Sequence, residues 1–592
     1  MSLVVQKFGG TSVADTEKIL SAARKAVRAH QTGKRVVMVV SAMGKNTDML
    51  ESLAQEISEN PPAREMDMLL STGEQVSVAL MAMAIDSLGY KVTSLTGAQI
   101  GIQTDSSHTK ARIKSISTDR INDLLDDGNI VIAAGFQGID DQLNITTLGR
   151  GGSDTTAVAL AAVLQADTCE IYTDVDGVYT TDPRILPEAR LTKQVSYDEM
   201  LELASLGAGV MHSRSIEFGK KFNVAIHVRS SLSDGPGSLI VDRSHTDKLP
   251  VSGAAMTRDE SKISIYDVPD VPGTIFQIFD SIADQKVTVD MIVQNVADDG
   301  TADISFTVPQ SDRKKTVKSI QQTLTKIGGR LDTSNKVSKV SVVGMGMAHE
   351  VGIASRMFRA LANNDVNLQM ITTSEIKISV LIDRDQSLKA LRTVHNEFKL
   401  DQGIAETETH NYQSETNDKI DAMEVIARLQ NIGMESLMID DIRLDNSQSR
   451  VTLRGVPNQP GIAASVFEQI AESGIFIDMI VQSYSRDELA DVSFTVRRNQ
   501  FEQAVAAAEA IKIEFDCINV SSKQNIAKLS VSGIGLRSHT GVAIGMFKAL
   551  ADASINLEMI NTSEVRVNVV VDGESGEKGL DCLKEQFKAS IS

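Results

Sequence analysis

Three cysteines in 592 residues, Cys169, Cys517 and Cys582, are too few and too scattered for a disulfide framework or a zinc site. They predict free thiols in a reducing compartment. A surplus of positive charge is also missing. The formal net charge is −19 and no long basic run occurs, which argues against a nucleic-acid partner while leaving local anion sites compatible. The longest apolar run beside the motifs, 157–166, falls well short of the ~20 residues that cross a bilayer, so no membrane is expected. A first strand starting almost at Met1 predicts no leader peptide and a cytoplasmic protein. No HExxH string occurs among the nine histidines, and no GxxxxGK[ST] loop occurs anywhere. GMGMAH (344–349), GIGLRS (533–538) and GRGGSD (149–154) begin like a dinucleotide fingerprint but lack its third glycine or alanine. Metal hydrolysis and NAD chemistry therefore lack support, and no side chain is singled out as a metal ligand.

What is present is an ordinary soluble composition, 42% hydrophobic and 23% charged, in a chain long enough for several domains. It also contains a duplication. VNLQMITTSEIKISVLID (366–383) and INLEMINTSEVRVNVVVD (555–572) agree at nine of eighteen positions, 189 residues apart. DMIVQN (290–295) with DMIVQS (478–483), and ADISFTV (302–308) with ADVSFTV (490–496), keep an offset of 188. One block was therefore copied whole. Within each block a turn, an amphipathic helix and a strand recur, as in 271–294, 349–371, 459–481 and 539–560, each with a β run before it. This predicts four ferredoxin-like modules. The front of the chain alternates apolar strands such as VVMVVS (36–41) and IVIAA (130–134) with helices, which predicts an α/β/α sandwich on a mostly parallel sheet. The expected division is 1–245 for this sandwich, 250–405 for the first module pair, a polar linker over 406–418, and 419–592 for the second pair.

Several stretches of the front half carry chemistry. Lys7, Gly9 and Gly10 follow the first strand, where glycine N–H groups and a helix N-terminus suit a phosphate and a lysine can reach it; a tight turn with a solvated lysine is the plainer reading. TLGRGGSDTT (147–156) sets Arg150 among three glycines, suited to a carboxylate, with Asp154 in the first helical turn, where it either caps or organises. YTDVDGVYTTDPR (172–184) sits at a strand's carboxyl end, where α/β sheets bind nucleotides, though Asp-Gly and Asp-Pro also make ordinary turns. SAMG (41–44), with Asn46 and Thr47 beyond, ends a strand, and STGEQ (71–75) is expected to start a helix carrying Glu74.

Taken together, VQKFGGTSV (5–13), VVSAMG (39–44), STGEQVS (71–77), GFQG (135–138), TTLGRGGSDTTA (146–157) and YTDVDGVYTTDPR (172–184) resemble the aspartate kinases of the amino acid kinase superfamily, and the rear half resembles tandem ACT domains. The resemblance implies transfer of the ATP γ-phosphoryl group to the β-carboxylate of L-aspartate, with Mg²⁺. It assigns catalysis to Lys7, Arg150 and Asp154, the substrate to Ser41, Thr47, Glu74 and Arg150, and ATP to Lys7, Gly9, Gly10, Thr173, Asp174, Tyr179, Asp182 and Arg184. Relatives often carry GAKV where this chain reads GAGV (207–210), so Lys220 or Lys221 is a candidate for the missing lysine's role. Lysine, threonine or both are the implied effectors, bound where modules meet, by Asp270, Gly273 and Gln294 with Asn367 and Leu368, and by Asn458, Gly461 and Gln482 with Asn556 and Leu557. A homodimer or larger assembly through these modules is expected. The competing readings are a kinase of another amino acid, an amino-acid sensor with a degenerate kinase domain, and a kinase–dehydrogenase fusion, for which fingerprint and chain length are both wanting.

Overall fold

The computed structural model describes residues 2–208, 210–244, 249–296, 300–402, 433–484, 489–536 and 541–591. The linker expected at 406–418 and Gly209 lie outside the described residues.

The front half builds one eight-stranded sheet, in the order 194–196, 238–241, 226–230, 168–173, 3–8, 35–40, 130–134, 92–95. Every neighbouring pair is parallel except Ile226–Ser230 with Ser238–Val241. Strands 35–40 and 130–134 are almost unbroken apolar runs because helices cover both faces. Val4, Phe8, Val36 and Met38 pack with Ala22, Ala26, Val78 and Met81 of the helices Thr16–Gln31 and Ala63–Ser87. Leu3, Val5, Val37 and Val39 pack on the opposite face with the helix Gly152–Val163, every residue of which is buried. Side chains alternate along a strand, so Lys7 shares the face of Leu3 and Val5 and lies against that helix.

The stretch 71–75 does not start a helix. It lies in the interior of the 25-residue helix Ala63–Ser87. Pro61 and Pro62 set the true start, since proline suits the position where an N–H needs no partner and breaks a helix elsewhere. This helix is long and apolar enough to cross a membrane by length and composition, but half of its apolar window is buried inside the molecule, as for a core helix.

The rear half contains four modules of like plan, nested in pairs. The 17-residue strand Gly253–Pro269 pairs from Gly253 to Tyr266 with Arg330–Val343, with register shifts near Glu260. Its distal part belongs to a first module completed by the helices Thr274–Ala283 and Arg313–Ile327 and the strands Asp290–Val296 and Thr301–Pro309. Its proximal part, 253–257, edges a second module with Met370–Thr373, Lys377–Asp383 and the helices Ile353–Ala362 and Ser387–Glu397. The second block repeats the nesting. Met438–Asp445 edges the fourth module, built on 526–586, while the third module, 448–523, is inserted between that edge and the rest.

Module faces also pair across the two blocks. Strand Met370–Thr373 of the second module hydrogen-bonds antiparallel to Ile477–Tyr484 of the third, with Ile371 opposite Gln482. Phe358 and Phe467 meet there helix against helix, their rings tilted at 57° with 5.5 Å between centroids. The first and fourth modules share another core, in which Phe279 meets Phe547 at 5.8 Å. Two cores thus each draw on residues from both blocks. The duplicate supplies the apolar face that each module lacks on its own.

Candidate active site

At the carboxyl ends of the front strands lies a cavity of about 960 Å³. Lys7, Gly10, Ser41, Thr47, Glu74, Arg150 and Asp154 all line it. The alternation that turns Lys7 towards the helix Gly152–Val163 brings its Nζ to 2.5 Å from Asp154 Oδ1, both side chains being 12% exposed. Gly10 is required by space: a Cβ there would stand 2.7 Å from the carbonyl oxygen of Ala42. Gly10 also accepts the N–H of Gly44 at 3.0 Å, which ties the first turn to the 41–44 turn. Gly151, at φ +71°, leaves room for His212, whose Cβ would otherwise lie 2.3 Å from the added carbon. Burial, with the Arg214 guanidinium beside it, keeps the His212 imidazole below its ordinary pKa.

Glu74 comes from mid-helix, 3% exposed. Its Oε1 accepts the N–H of Ala42 at 3.1 Å, while Oε2 is buried with no hydrogen-bond partner among the described residues. Burial raises its carboxyl from 4.5 to about 7. A buried carboxylate with one open oxygen on a cavity is a seat for a cation. Arg150 is exposed on the same cavity and supplies the opposite charge.

Several expected residues lie elsewhere. Thr173 ends the neighbouring strand Thr168–Thr173, Asp174, Tyr179, Asp182 and Arg184 follow it, and none of them lines the cavity. They flank it: Phe8 pairs with Tyr172, and Gly9 donates its N–H to the Tyr172 carbonyl at 3.3 Å. Arg184 is held on Asp182 at 2.8 Å, and the Thr173 hydroxyl donates to Asp174 at 3.1 Å. Lys220 bonds Asp198 at 2.6 Å, whereas Lys221 lines the cavity and donates to the carbonyls of Met434 and Ser436, both at 3.1 Å.

Other residues carry no motif signal. Asp67, fully buried, accepts from Thr147 Oγ1 at 2.5 Å and from the Thr109 N–H at 2.9 Å, and bonds His108 Nδ1 at 2.7 Å, so it anchors the base of the 147–156 loop. Phe136, on the cavity wall, is a bulky residue at φ +69°, held there by its N–H bond to Thr156 Oγ1 at 3.2 Å. Glu202 is fully buried; it ion-pairs with Lys377 of the first block at 2.8 Å and accepts the N–H of Glu564 of the second at 3.0 Å.

Two further sites of matching composition lie where the blocks meet. Gln294 donates to the Leu557 carbonyl at 2.8 Å and Asn556 to Asp270 at 2.9 Å. Gln482 donates to the Leu368 carbonyl at 3.4 Å and Asn367 to Asn458 at 3.1 Å. Gly273 and Gly461 start their helices at φ +98° and +97°. The sequence grouping by block is therefore corrected: Asn556 and Leu557 complete the Asp270 site, and Asn367 and Leu368 the Asn458 site. The reason is that each module finds its apolar partner in the other copy. Each glutamine is buried and keeps one side-chain oxygen without a partner among the described residues.

The amino acid kinase family model matches residues 2–230, and the ACT domain model matches 340–398, 451–510 and 529–587. An aspartokinase from Pseudomonas aeruginosa is 50% identical over 405 residues, covering 68% of this chain and 98% of its own. The chain belongs to the aspartokinase family. Among solved aspartokinase-family structures, the aspartate kinase from Synechocystis is 38% identical, covers 100% of this chain and 98% of its own, and has a TM-score of 0.52. Aspartokinase III of E. coli, solved with aspartate and ADP, is 22% identical over 67% of this chain and 99% of its own, with a TM-score of 0.57, which speaks for the fold alone.

Proposed function

We propose that the chain is an ATP-dependent aspartate kinase, forming 4-phospho-L-aspartate in the route to lysine, threonine and methionine, under feedback control through its ACT modules. The observation that carries this reading is the Lys7–Asp154 ion pair on the cavity that Glu74 and Arg150 also line. Those groups offer an anion for a substrate ammonium, a guanidinium for a carboxylate and a lysine for a phosphoryl oxygen. Ser41 and Thr47 complete the lining. The nucleotide would lie along the adjoining loop, on Gly9, Gly10, Thr173, Asp174, Tyr179, Asp182 and Arg184.

The nucleophile is already a carboxylate, so no general base is needed; the obstacle is repulsion between two anions. Lys7 offsets charge on the transferred group, and Asp154, paired with it, keeps the lysine's ammonium aligned. Among the described residues no cluster of three or more His, Cys, Asp or Glu side chains forms a metal cage. Asp154 offers one carboxylate, which fits a Mg²⁺ held mainly by phosphate oxygens. Bound so, Mg²⁺ would neutralise the polyphosphate.

Effector amino acids, lysine or threonine, would bind at the Asp270/Gln294–Asn556/Leu557 and Asn458/Gln482–Asn367/Leu368 interfaces. We place catalysis in 1–245, regulation in 250–405 and 419–592, and the protein in the cytoplasm. Both module pairings close within one chain, so a homodimer needs a further surface. The test is acyl-phosphate formation, trapped as hydroxamate, with aspartate, glutamate or N-acetylglutamate as acceptor. Aspartate-specific product is expected; product from another acceptor, or none, defeats the reading.

A further inference from the structure

The cavity is not built by the catalytic half alone. Met434, Glu435, Ser436, Ile534 and Gly535, all from the second regulatory block, form part of its wall. Glu435 lies three residues before the edge strand Met438–Asp445, which pairs with Ile526–Ile534. Its side chain is 8% exposed and grips Arg214 with both oxygens, Nε to Oε2 at 2.5 Å and Nη2 to Oε1 at 2.6 Å. Oε1 also accepts the N–H of Ile113 at 2.7 Å, and Met434 donates its N–H to the Lys114 carbonyl at 3.2 Å. Arg214, fixed in this way, donates Nη2 to the Ala111 carbonyl at 2.7 Å and Nη1 to the Leu148 carbonyl at 2.5 Å. Leu148 stands two residues before Arg150, at the start of the glycine-rich turn.

On the proposed aspartate kinase reading, we infer that Glu435 is a positioning residue for substrate binding: from the second regulatory block it fixes Arg214, and Arg214 fixes the turn that carries Arg150. A bidentate carboxylate–guanidinium pair sets direction as well as distance. The turn itself is glycine-rich and has little stiffness of its own, so its geometry depends on such anchors. Glu435 touches no reacting atom. It acts only through the placement of Arg150, and so bears on aspartate rather than on the nucleotide loop, which is anchored separately through Tyr172 and Gly9. The edge strand that follows Glu435 belongs to the fourth module, the module that carries Asn556 and Leu557. The first–fourth module interface is thus joined directly to the substrate cavity.

The test uses the full-length chain and steady-state kinetics in both substrates, without effector. Glu435→Gln keeps the shape and removes the charge. It should raise the aspartate KM about tenfold, since small misplacements of a binding group carry penalties of this order, with ATP KM and kcat within about twofold. Glu435→Asp, which keeps the charge, should recover most of that loss. Arg214→Lys should raise the aspartate KM likewise, and the double variant should be no worse than the poorer single one. If Glu435→Gln does not fold, Arg214→Lys and Glu435→Asp still give the reading. An unchanged aspartate KM, a parallel rise in both KM values, or additive losses in the double variant would overturn the inference. A wild-type chain without aspartate-dependent turnover would instead overturn the kinase reading itself.

Discussion

Glu74 makes a pH-dependent prediction that can be worked from its surroundings. Its folded-state pKa of about 7 lies above its ordinary 4.5, with burial as the cause. The free enzyme therefore holds Glu74 largely protonated below pH 7, and a neutral acid is a poor partner for a substrate ammonium. The ionised fraction rises from about a tenth at pH 6 to about nine-tenths at pH 8. kcat/KM for aspartate should climb about tenfold across that interval, while the ATP KM stays flat. Aspartate binding should also expel the proton, close to one per molecule at pH 6 and little at pH 8, measurable by calorimetry in buffers of different ionisation enthalpy. The stability sign is opposite to that of a salt-bridged carboxylate. The raised pKa gives stability that is full below pH 4.5 and lost as pH rises through about 7, roughly 3 kcal/mol in all. Glu74→Gln should abolish the kinetic slope, raise the aspartate KM at pH 8, and raise Tm at pH 8 relative to wild type. A kcat/KM that is level from pH 6 to 8, or proton release unaffected by Glu74→Gln, would refute the argument.

Three other outcomes are expected. Lys7→Ala should fold normally by circular dichroism yet lose on the order of 10²–10³ in kcat, as for loss of a charge partner in the transition state; a wild-type kcat would remove Lys7 from the chemistry. Arg150→Lys keeps charge but not the fork, so the aspartate KM should rise with the ATP KM much less affected, and the reverse pattern would move Arg150 to the nucleotide. Calorimetric titration with lysine and with threonine should give two sites per chain in the wild type, one in Gln294→Ala or Gln482→Ala, and none in the double variant; one site in the wild type would defeat the duplicated-site reading.

How much of this was legible in sequence follows from the range of the contacts. Lys7 could be read because strand alternation and the nearby glycines are local signals, and its partner Asp154 sits in an equally marked helix turn. The four modules could be read because a duplication shows itself by comparison within the chain. The cross-block pairing could not: Gln294 and Leu557 are 263 residues apart, and both copies offer the same residues, so sequence cannot say which copy meets which. Asp67 and Glu435 are single acids in otherwise ordinary segments, and only the folded chain brings them to Thr147 and Arg214. The start of the helix Ala63–Ser87 was misplaced because a motif glycine and hydroxyls look like a cap, whereas the Pro61–Pro62 pair upstream sets the boundary.

The cross-block pairing also has a consequence for synthesis. Ile275, Ile278 and Phe279 of the first module bury against Phe547, Leu550 and Leu583 of the fourth, close to 300 residues later. On a ribosome moving at about 5–20 residues per second, that face waits roughly 15–60 s for its cover. The catalytic sandwich, whose two cores are built almost wholly from its own strands and helices, can condense long before. The nascent regulatory half thus carries an uncovered apolar helix face through most of its translation, during which chaperone capture or mispairing with another nascent chain competes with closure onto the second copy.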